Sequence, residues 1–385
     1  MNAKPRPPHM DKLRWSLRWL VARSLRGRPP ARNPRRFRAA IVKVDRLGDA
    51  VLSLGAIRAL LRHFGAAECL LIVSRPAEPL FAAEFPDVAR LAVPLTLDHR
   101  QMLVDGRRER ARFSEFASSE VICLRHQRGD WEELILSWLG ADRTYAIDGT
   151  ELGRPSRWHR TFTYGPVVSA AAAGDPERES TTCGELDRHR RLVSAVLRRA
   201  VTNSEILPAL HELPADKARK QIVATPFGTS PVRNIPSTLL LASLRALRRY
   251  SSTPISLYGD LSQQAGLQRL VAAARAAGIQ GIASPPPVTV VEYMRSVAAA
   301  EAVVSAETAT AHLAIASDRP TLVVMGGGHY GEFGPWMKSD RQIWLSQSMD
   351  CFGCNWLCRH PEPFCLTRIS ETAINEAVKR LYCSH

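Results

Sequence analysis

Apolar positions along the chain fall into two patterns: short unbroken runs, and longer stretches in which they recur every three or four residues. The run FRAAIVKVD (Phe37–Asp45) is apolar nearly throughout, the signature of a strand buried on both faces of a parallel sheet. After the turn Arg46-Leu47-Gly48-Asp49 comes AVLSLGAIRALLRHF, whose periodicity predicts one helix ending at Gly65. CLLIV (Cys69 to Val73) reads as a second strand, Glu78 to Phe85 as a helix, ARLAVPL as a third strand, VICLR around Cys123 as another, and Trp131 to Leu139 as a helix. Between Val167 and Glu185 the composition turns to Ala, Gly, Ser, Thr and Pro and predicts a loop. A helix from Leu186 to about Val201 and an irregular stretch up to Pro214 follow.

The rhythm then restarts. QIVAT (Gln221 to Thr225) predicts a strand, Thr238 to Arg249 a helix, ISLYG a strand, and Ser262 to Ala277 and Val290 to Ala300 two helices. AVVSA predicts a strand, Thr310 to Ala316 a short helix, and TLVVMGGG a strand entering a Gly-rich loop. This alternation specifies the α/β class, with two Rossmann-like doubly wound domains facing a cleft, over residues 37–214 with a linker and over 215–385. A length of 385 residues suits two domains.

The formal charge of +15 points to nucleic acid until the charge is located. Residues 1–38 hold twelve of the 52 Lys and Arg but one of the 37 Asp and Glu, so +11 lies there and +4 is spread over the other 347 residues. A duplex-binding groove needs basic residues along a folded face, so no nucleic acid is expected as a partner; a nucleic-acid-binding protein with a Cys-metal module is the competing class. Residues 1–36 carry six prolines and read as a basic tail without a packed core over most of its length. Within it DKLRWSLRWLVARSL (Asp11 to Leu25) lacks Pro and Gly, and Leu13, Leu17, Leu20, Trp15 and Trp19 can share a helical face beside Arg14, Arg18 and Arg23. That composition suits peripheral contact with an anionic inner-membrane surface; a disordered or domain-packed tail explains the same residues. With no run of eighteen apolar residues and no visible secretory signal, the expected location is the cytoplasm or the cytoplasmic face of the inner membrane.

The candidate chemistry lies where strands meet helices. Gly48 and Asp49 follow the first strand, at the sheet edge where open α/β folds bind ligands, and Asp49 either caps the helix or serves as a general base. The loop from Phe227 to Pro236 is rich in small and polar residues, Thr229 and Ser230 among them, and its Arg233 either forks onto a diphosphate or is a surface arginine. In Ser305-Ala306-Glu307-Thr308-Ala309-Thr310-Ala311-His312, Thr308 and Thr310 with their amides would surround a phosphate at a helix start, and Glu307 would take sugar or ribose hydroxyls. His312, inside the helical turn, reads first as a packed, hydrogen-bonded side chain, and with Ala309 it is also a candidate donor-binding residue. Gly326, Gly328 and Gly331 match G-x-G-x-x-G, and Asp350 follows nineteen residues after the last glycine. A dinucleotide fingerprint also needs a long helix at that point, which Gly334-Pro335 forbids, so Gly326, Gly327 and Gly328 are read as flexible backbone lining a ligand cleft.

Eight cysteines are present, four of them clustered as Cys351-x-x-Cys354-x3-Cys358-x6-Cys365. A four-thiolate zinc or iron site and reduced structural thiols both account for them.

Several separated segments resemble one family. AAIVKVDRLGDAVLSLGAIRALLRHF is similar to the opening of the family nine glycosyltransferases, the lipopolysaccharide heptosyltransferases and their relatives, and VVEYMRSVAAAEAVVSAETATAHLAIASDRPTLVVMGGG to their nucleotide-sugar motif. The Cys-rich end leading to ISETAINEAVKRLY also looks like many members. The resemblance implies the GT-B fold, with the first domain on the acceptor side and the second holding the nucleotide sugar. It also implies inverting sugar transfer without a divalent metal, with ADP-heptose as the first donor and a lipopolysaccharide-core or other glycan or glycolipid as acceptor. On it Asp49 matches the proposed base, Arg233 stands where a Lys is common, Thr308 matches the motif threonine, and Gln263 falls where a ribose-binding Glu is frequent. Glu307 replaces the usual Asp, Ala309 the usual Gly and Ile235 the common Trp, so donor contacts differ from the family pattern. A catalytically inactive sugar-nucleotide-binding relative is the remaining alternative.

Overall fold

The computed structural model describes residues 20, 24–29, 33–95, 99–125, 128–147, 167–168, 183–212, 220–337 and 339–383. Most of the tail helix expected from Asp11, most of the expected loop over 167–185, and Pro214 lie outside them. The described residues fall into two compact units. The first takes those of Met1–Arg46, Ala56–Asp175 and Arg188–Ile206; the second takes those of Leu47–Gly55, Pro176–Asp187 and Leu207–His385.

The first half runs β1 (Arg35–Lys43), α1 (Leu47–Leu52), α2 (Leu54–Phe64), β2 (Cys69–Ser74), α3 (Glu78–Glu84), β3 (Ala89–Val93), α4 (His99–Arg112), β4 (Phe116–Cys123), α5 (Asp130–Leu139), β5 (Arg143–Ile147), β6 (Val167–Val168) and α6 (Gly184–Leu197). The strands form one parallel sheet in the order β3-β2-β1-β4-β5-β6. Central β1 sets Ile41 between Leu71 of β2 and Ile122 of β4, which is why its run is apolar without alternation. α5 starts at Gly129, whose amide donates to Glu132 Oε2 at 2.7 Å, and buries Trp131 and Trp138 edge to face at 5.6 Å. Trp138 Nε1 donates to the Leu25 carbonyl at 2.7 Å, Leu25 is buried, and Arg110 Nε reaches the Gly27 carbonyl at 3.3 Å. The end of the basic tail is therefore packed on the first unit.

The second half runs β7 (Ile222–Thr225), α7 (Ser237–Arg248), β8 (Ile255–Leu257), α8 (Gln264–Ala276), β9 (Ile282–Ala283), α9 (Val290–Ala298), β10 (Ala302–Ala306), α10 (Ala309–Ala316), β11 (Thr321–Val324), β12 (Gln342–Leu345) and α11 (Glu371–Cys383). Its sheet is again parallel, in the order β12-β11-β10-β7-β8-β9. Counted from each unit's own first strand, both sheets have the order 3-2-1-4-5-6 of the doubly wound fold. α9 opens with a capping box in which Thr289 Oγ1 accepts from the Glu292 amide at 3.3 Å. α11 buries Ile374, Ala377, Val378 and Leu381, spaced three, one and three residues apart, onto the core of this unit. No described helix is long and apolar enough to cross a membrane.

The helix expected over AVLSLGAIRALLRHF is two helices, broken at Ser53. There the hydroxyl donates to the Ala50 carbonyl at 2.7 Å beside the Ser53 amide, which donates to the same oxygen at 3.1 Å. A side chain that competes for helix carbonyls bends or ends a helix. α4 escapes the periodicity argument because HRQMLVDGRRERAR is polar around most of its circumference and carries a glycine.

Candidate functional site

In the second unit, β7 and β10 lie side by side and their outgoing connections diverge, the switch point at which doubly wound sheets bind ligands. The β7 connection supplies Arg233 and the β10 connection supplies Glu307. Their side chains form an ion pair, Arg233 Nη2 to Glu307 Oε2 at 3.3 Å, and the same guanidinium donates to the Glu307 carbonyl. Glu307 is 3% exposed. Arg233 Nη1 also reaches Thr229 Oγ1 at 3.4 Å, and the Arg233 amide donates to the Ser230 carbonyl at 2.9 Å, closing a single 3-10 turn. Arg233 is thus drawn inward and is not a free surface arginine. Gly228 has to be glycine, because a Cβ there would stand 2.8 Å from the Arg233 Cβ.

Beneath this pair runs a chain of hydroxyls, from Thr225 Oγ1 to Ser305 Oγ at 2.8 Å and from Ser305 Oγ to Thr308 Oγ1 at 3.1 Å. Thr308 occupies the N-cap position of α10 with an extended backbone and makes no side-chain cap. The Ala311 amide donates to the Thr308 carbonyl at 3.1 Å, and the amides of Ala309 and Thr310 ahead of it have no carbonyl within the helix to meet, a terminus of the kind that suits an anion. The Thr310 hydroxyl is turned inward and hydrogen-bonds to Tyr293, so its side chain does not serve a phosphate there. Gln263 is occupied as well. Its side-chain oxygen accepts from the Asp260 amide at 3.1 Å and its side-chain nitrogen reaches the Gly228 carbonyl at 3.5 Å, so it holds the β7 loop.

α1 belongs to the second unit and packs on α10. A Cβ on Gly48 would lie 3.4 Å from Ala309 Cα and 3.4 Å from His312 Cδ2, so Gly48 faces the start of α10 at van der Waals distance, and Asp49 follows it in the chain. Asp49 is half-buried at the third position of α1. The residue before the helix is Arg46, so Asp49 is a first-turn acid and not the N-cap. His312 is buried, as its sequence context indicated. Trp336 Nε1 donates to its Nδ1 at 3.0 Å, the two rings stack 6.1 Å apart, and the bond leaves the proton of the neutral imidazole on Nε2. Burial, reinforced by Arg233 and opposed by Glu307, brings the His312 pKa down to about 4.

The Gly-rich loop after β11 forms one 3-10 turn, Gly327–His329, with no long helix, so the dinucleotide fingerprint is absent. Its glycines make room for aromatic rings of the Cys-rich segment: a Cβ on Gly326 or Gly328 would run into Trp356, and one on Gly327 into Phe352. The four clustered thiols are not gathered into one ligand set. Among the described residues, the group whose ligand atoms all lie within 4.8 Å of one another is Asp350, Cys351 and His360. Cys354 and Cys358 are partly exposed, while Cys365 is buried against the Gly loop, its thiol pushed up by burial against a hydrogen bond from the Gly327 amide.

The first unit has a charged cluster at the matching switch point of its own sheet. Lys43, fully buried at the end of β1, meets Asp45 Oδ2 at 3.4 Å and the Leu124 carbonyl at 3.4 Å. Arg125 donates to Glu132 Oε1 at 2.7 Å, and burial raises the Glu132 carboxyl above its ordinary range against the lowering effect of Arg125. The apolar-run argument passed over Lys43 because it absorbed the residue into the strand. Trp336, His329 and Trp356 were missed because they lie in irregular segments with no periodic signal.

Residues 255–357 match the model of glycosyltransferase family 9 (heptosyltransferase). No curated protein matches the chain in sequence. Among solved structures, the chain is similar to a family 9 glycosyl transferase from Veillonella parvula, with TM-score 0.66 and 13% identity over 93% of this chain and 100% of that one. It is also similar to the E. coli ADP-heptose lps heptosyltransferase II (TM-score 0.63, 15% identity, 90% of this chain and 99% of that one). The E. coli heptosyltransferase WaaC with ADP gives TM-score 0.58 and 16% identity, over 90% of this chain and 97% of that one. The fold is therefore of the GT-B heptosyltransferase type. The resemblance read from the sequence holds, and family match and fold together support a glycosyltransferase.

The neutral His312 carries a pH signature. The unfolded imidazole takes a proton below its ordinary 6.5 while the folded one resists down to about 4, so this contribution to stability is present above pH 6.5 and is lost as the pH falls towards 4. Thermal melts across that window should show a steeper decline in wild type than in His312→Gln; parallel declines would refute the assignment.

Proposed function

We propose that the chain is an inverting glycosyltransferase that moves a sugar, heptose from ADP-heptose being the first candidate, onto a hydroxyl of a lipopolysaccharide-core or related glycan. The observation that supports this reading is the approach of Gly48, the chain neighbour of Asp49, to Ala309 and His312 at the start of α10 within one unit. In the proposed reaction the Asp49 carboxylate takes the proton of the acceptor hydroxyl as its oxygen bonds to the anomeric carbon. The bond from that carbon to the diphosphate oxygen breaks on the opposite face, and the electron pair leaves with the nucleoside diphosphate. Charge developing on the diphosphate is met by the α10 amides and the Arg233 guanidinium, groups already held in place before reaction, so little reorganisation is needed. Glu307 accepts hydrogen bonds from hydroxyls of the donor and would repel a phosphate, which sorts the two ends of the nucleotide sugar along the site.

The Cys-rich segment is proposed to hold a structural zinc or iron on Cys351, His360 and Asp350. A thiol, an imidazole and a carboxylate suit either ion, and His360 Nε2 is buried without a hydrogen-bond partner among the described residues. When bound, the metal would supply a cross-link within the segment. The basic tail is proposed to contact an anionic membrane, since its charge and tryptophans precede the part anchored through Leu25.

Three experiments test these assignments. Asp49→Asn should keep nucleotide binding while turnover falls by roughly a hundredfold or more, the order expected for a lost general base; unchanged turnover removes the role, and wild type that binds nucleotide sugars without turning over favours an inactive relative. Protein purified under reducing conditions should carry about one zinc or iron per chain. Cys351→Ser and His360→Gln should lose it together with thermal stability, while Cys354→Ser keeps it; metal-free wild type of equal stability overturns the site. A chain beginning at Arg23 should lose salt-sensitive binding to anionic liposomes yet keep the melting temperature, whereas one beginning at Arg36 should also melt lower through loss of Leu25. Undiminished liposome binding by both would put the membrane contact on the body.

A further inference from the structure

Eleven side-chain polar atoms of the second unit are buried without a hydrogen-bond partner among the described residues, and four of them belong to one cluster: Arg233 Nε, Glu307 Oε2, His329 Nδ1 and Trp356 Nε1. Glu307 links them, with Arg233 Nη2 at 3.3 Å from Oε2 and His329 Nδ1 at 3.8 Å from Oε1. Trp356 stands edge to face with His329 at 5.8 Å, and the Arg233 guanidinium lies 6.0 Å from its ring. Native proteins leave few buried polar atoms unsatisfied, and several around one carboxylate mark the place of a missing ligand. Their types describe it. The indole and Nε of Arg233 donate only, the Glu307 oxygen accepts, and the imidazole nitrogen does either by tautomer. A phosphate would answer the donors but meet the Glu307 carboxylate. Adjacent hydroxyls, each a donor and an acceptor, answer all four.

The chain goes to some length to present Trp356 here. Gly353, Asn355 and Trp356 have φ of 81°, 49° and 62°, a conformation unfavourable for a bulky side chain. It is held by two backbone bonds to the Gly-rich loop, Gly353 N to Gly327 O at 2.8 Å and Asn355 N to Gly328 O at 2.9 Å. The bare glycines at 326 and 328 leave the space that the indole fills.

We propose that Trp356 and His329 are specificity-determining residues that, with Glu307, bind a vicinal diol of the donor, making the Cys-rich segment part of the donor site. This rests on the nucleotide-sugar reading, and the diol is either the ribose 2′,3′-pair or a pair on the transferred sugar. Trp356→Phe keeps an aromatic ring against Gly328 but removes the N–H. His329→Phe keeps the edge-to-face ring contacts with Phe333 and Trp356 and removes the imidazole nitrogens. Calorimetric titration of the full chain with ADP, 2′-deoxy-ADP and ADP-heptose, with UDP and GDP to check the base, separates the cases. For a ribose diol, both variants should bind ADP and ADP-heptose about tenfold more weakly and 2′-deoxy-ADP as wild type does. For a sugar diol, only ADP-heptose should weaken, by a similar factor. If wild type binds these nucleotides and both variants bind all of them equally well, the inference is overturned while the glycosyltransferase reading stands. If wild type binds no nucleotide or nucleotide sugar, both fall.

Discussion

Right-handed crossovers force the connections of a parallel sheet to opposite faces on either side of its first strand. In the second unit this parts the loops leaving β7 and β10 although the strands themselves are hydrogen-bonded neighbours. Everything with candidate chemistry in that unit follows from the gap so made. Arg233 comes from one lip and Glu307 from the other, and they close on each other at 3.3 Å because both are drawn into the same small space. The start of α10 falls at the same edge, since that helix begins two residues beyond Glu307. The first unit obeys the same rule with Lys43, Asp45 and Arg125 at the ends of β1 and β4.

Polar groups drawn into such a place must be satisfied internally, and most are. Hydroxyls of Thr225, Ser305 and Thr308 are linked in sequence, and Trp336 satisfies the one nitrogen of His312 that needs a donor. A charged imidazole here would lose its hydration and set two donors against each other along the Trp336 bond, so burial favours the neutral form. Four of the exceptions are gathered around Glu307, more than at any other side chain of the unit's described residues.

Close packing links the Cys-rich segment to the same edge. Gly326, Gly327 and Gly328 are bare because aromatic rings occupy the volume their side chains would need. Three consecutive glycines otherwise signal a mobile loop; here they form a seat, and the amides of Gly353 and Asn355 fasten the segment onto it.

The α/β class, the doubly wound architecture and most strands were legible in the sequence, because strands buried on both faces need continuous apolar runs such as AAIVKV and AVVSA, and helices between them need a repeating apolar stripe. Arg233, Glu307 and Thr308 were legible as candidates for the same reason: they follow those runs directly, at the edge where this fold binds ligands. Tertiary structure alone decided that the helix after β1 breaks at Ser53, and that its first piece, with Gly48 and Asp49, packs on α10. It also decided that Thr310 and Gln263 spend their side chains on Tyr293, Asp260 and Gly228, and that Cys351 pairs in space with His360 and Asp350 and not with three other thiols. Each of these depends on contacts between residues far apart in the chain or on competition for a single carbonyl. Local periodicity records which face of an element is buried, but it is silent on which partner the burial brings.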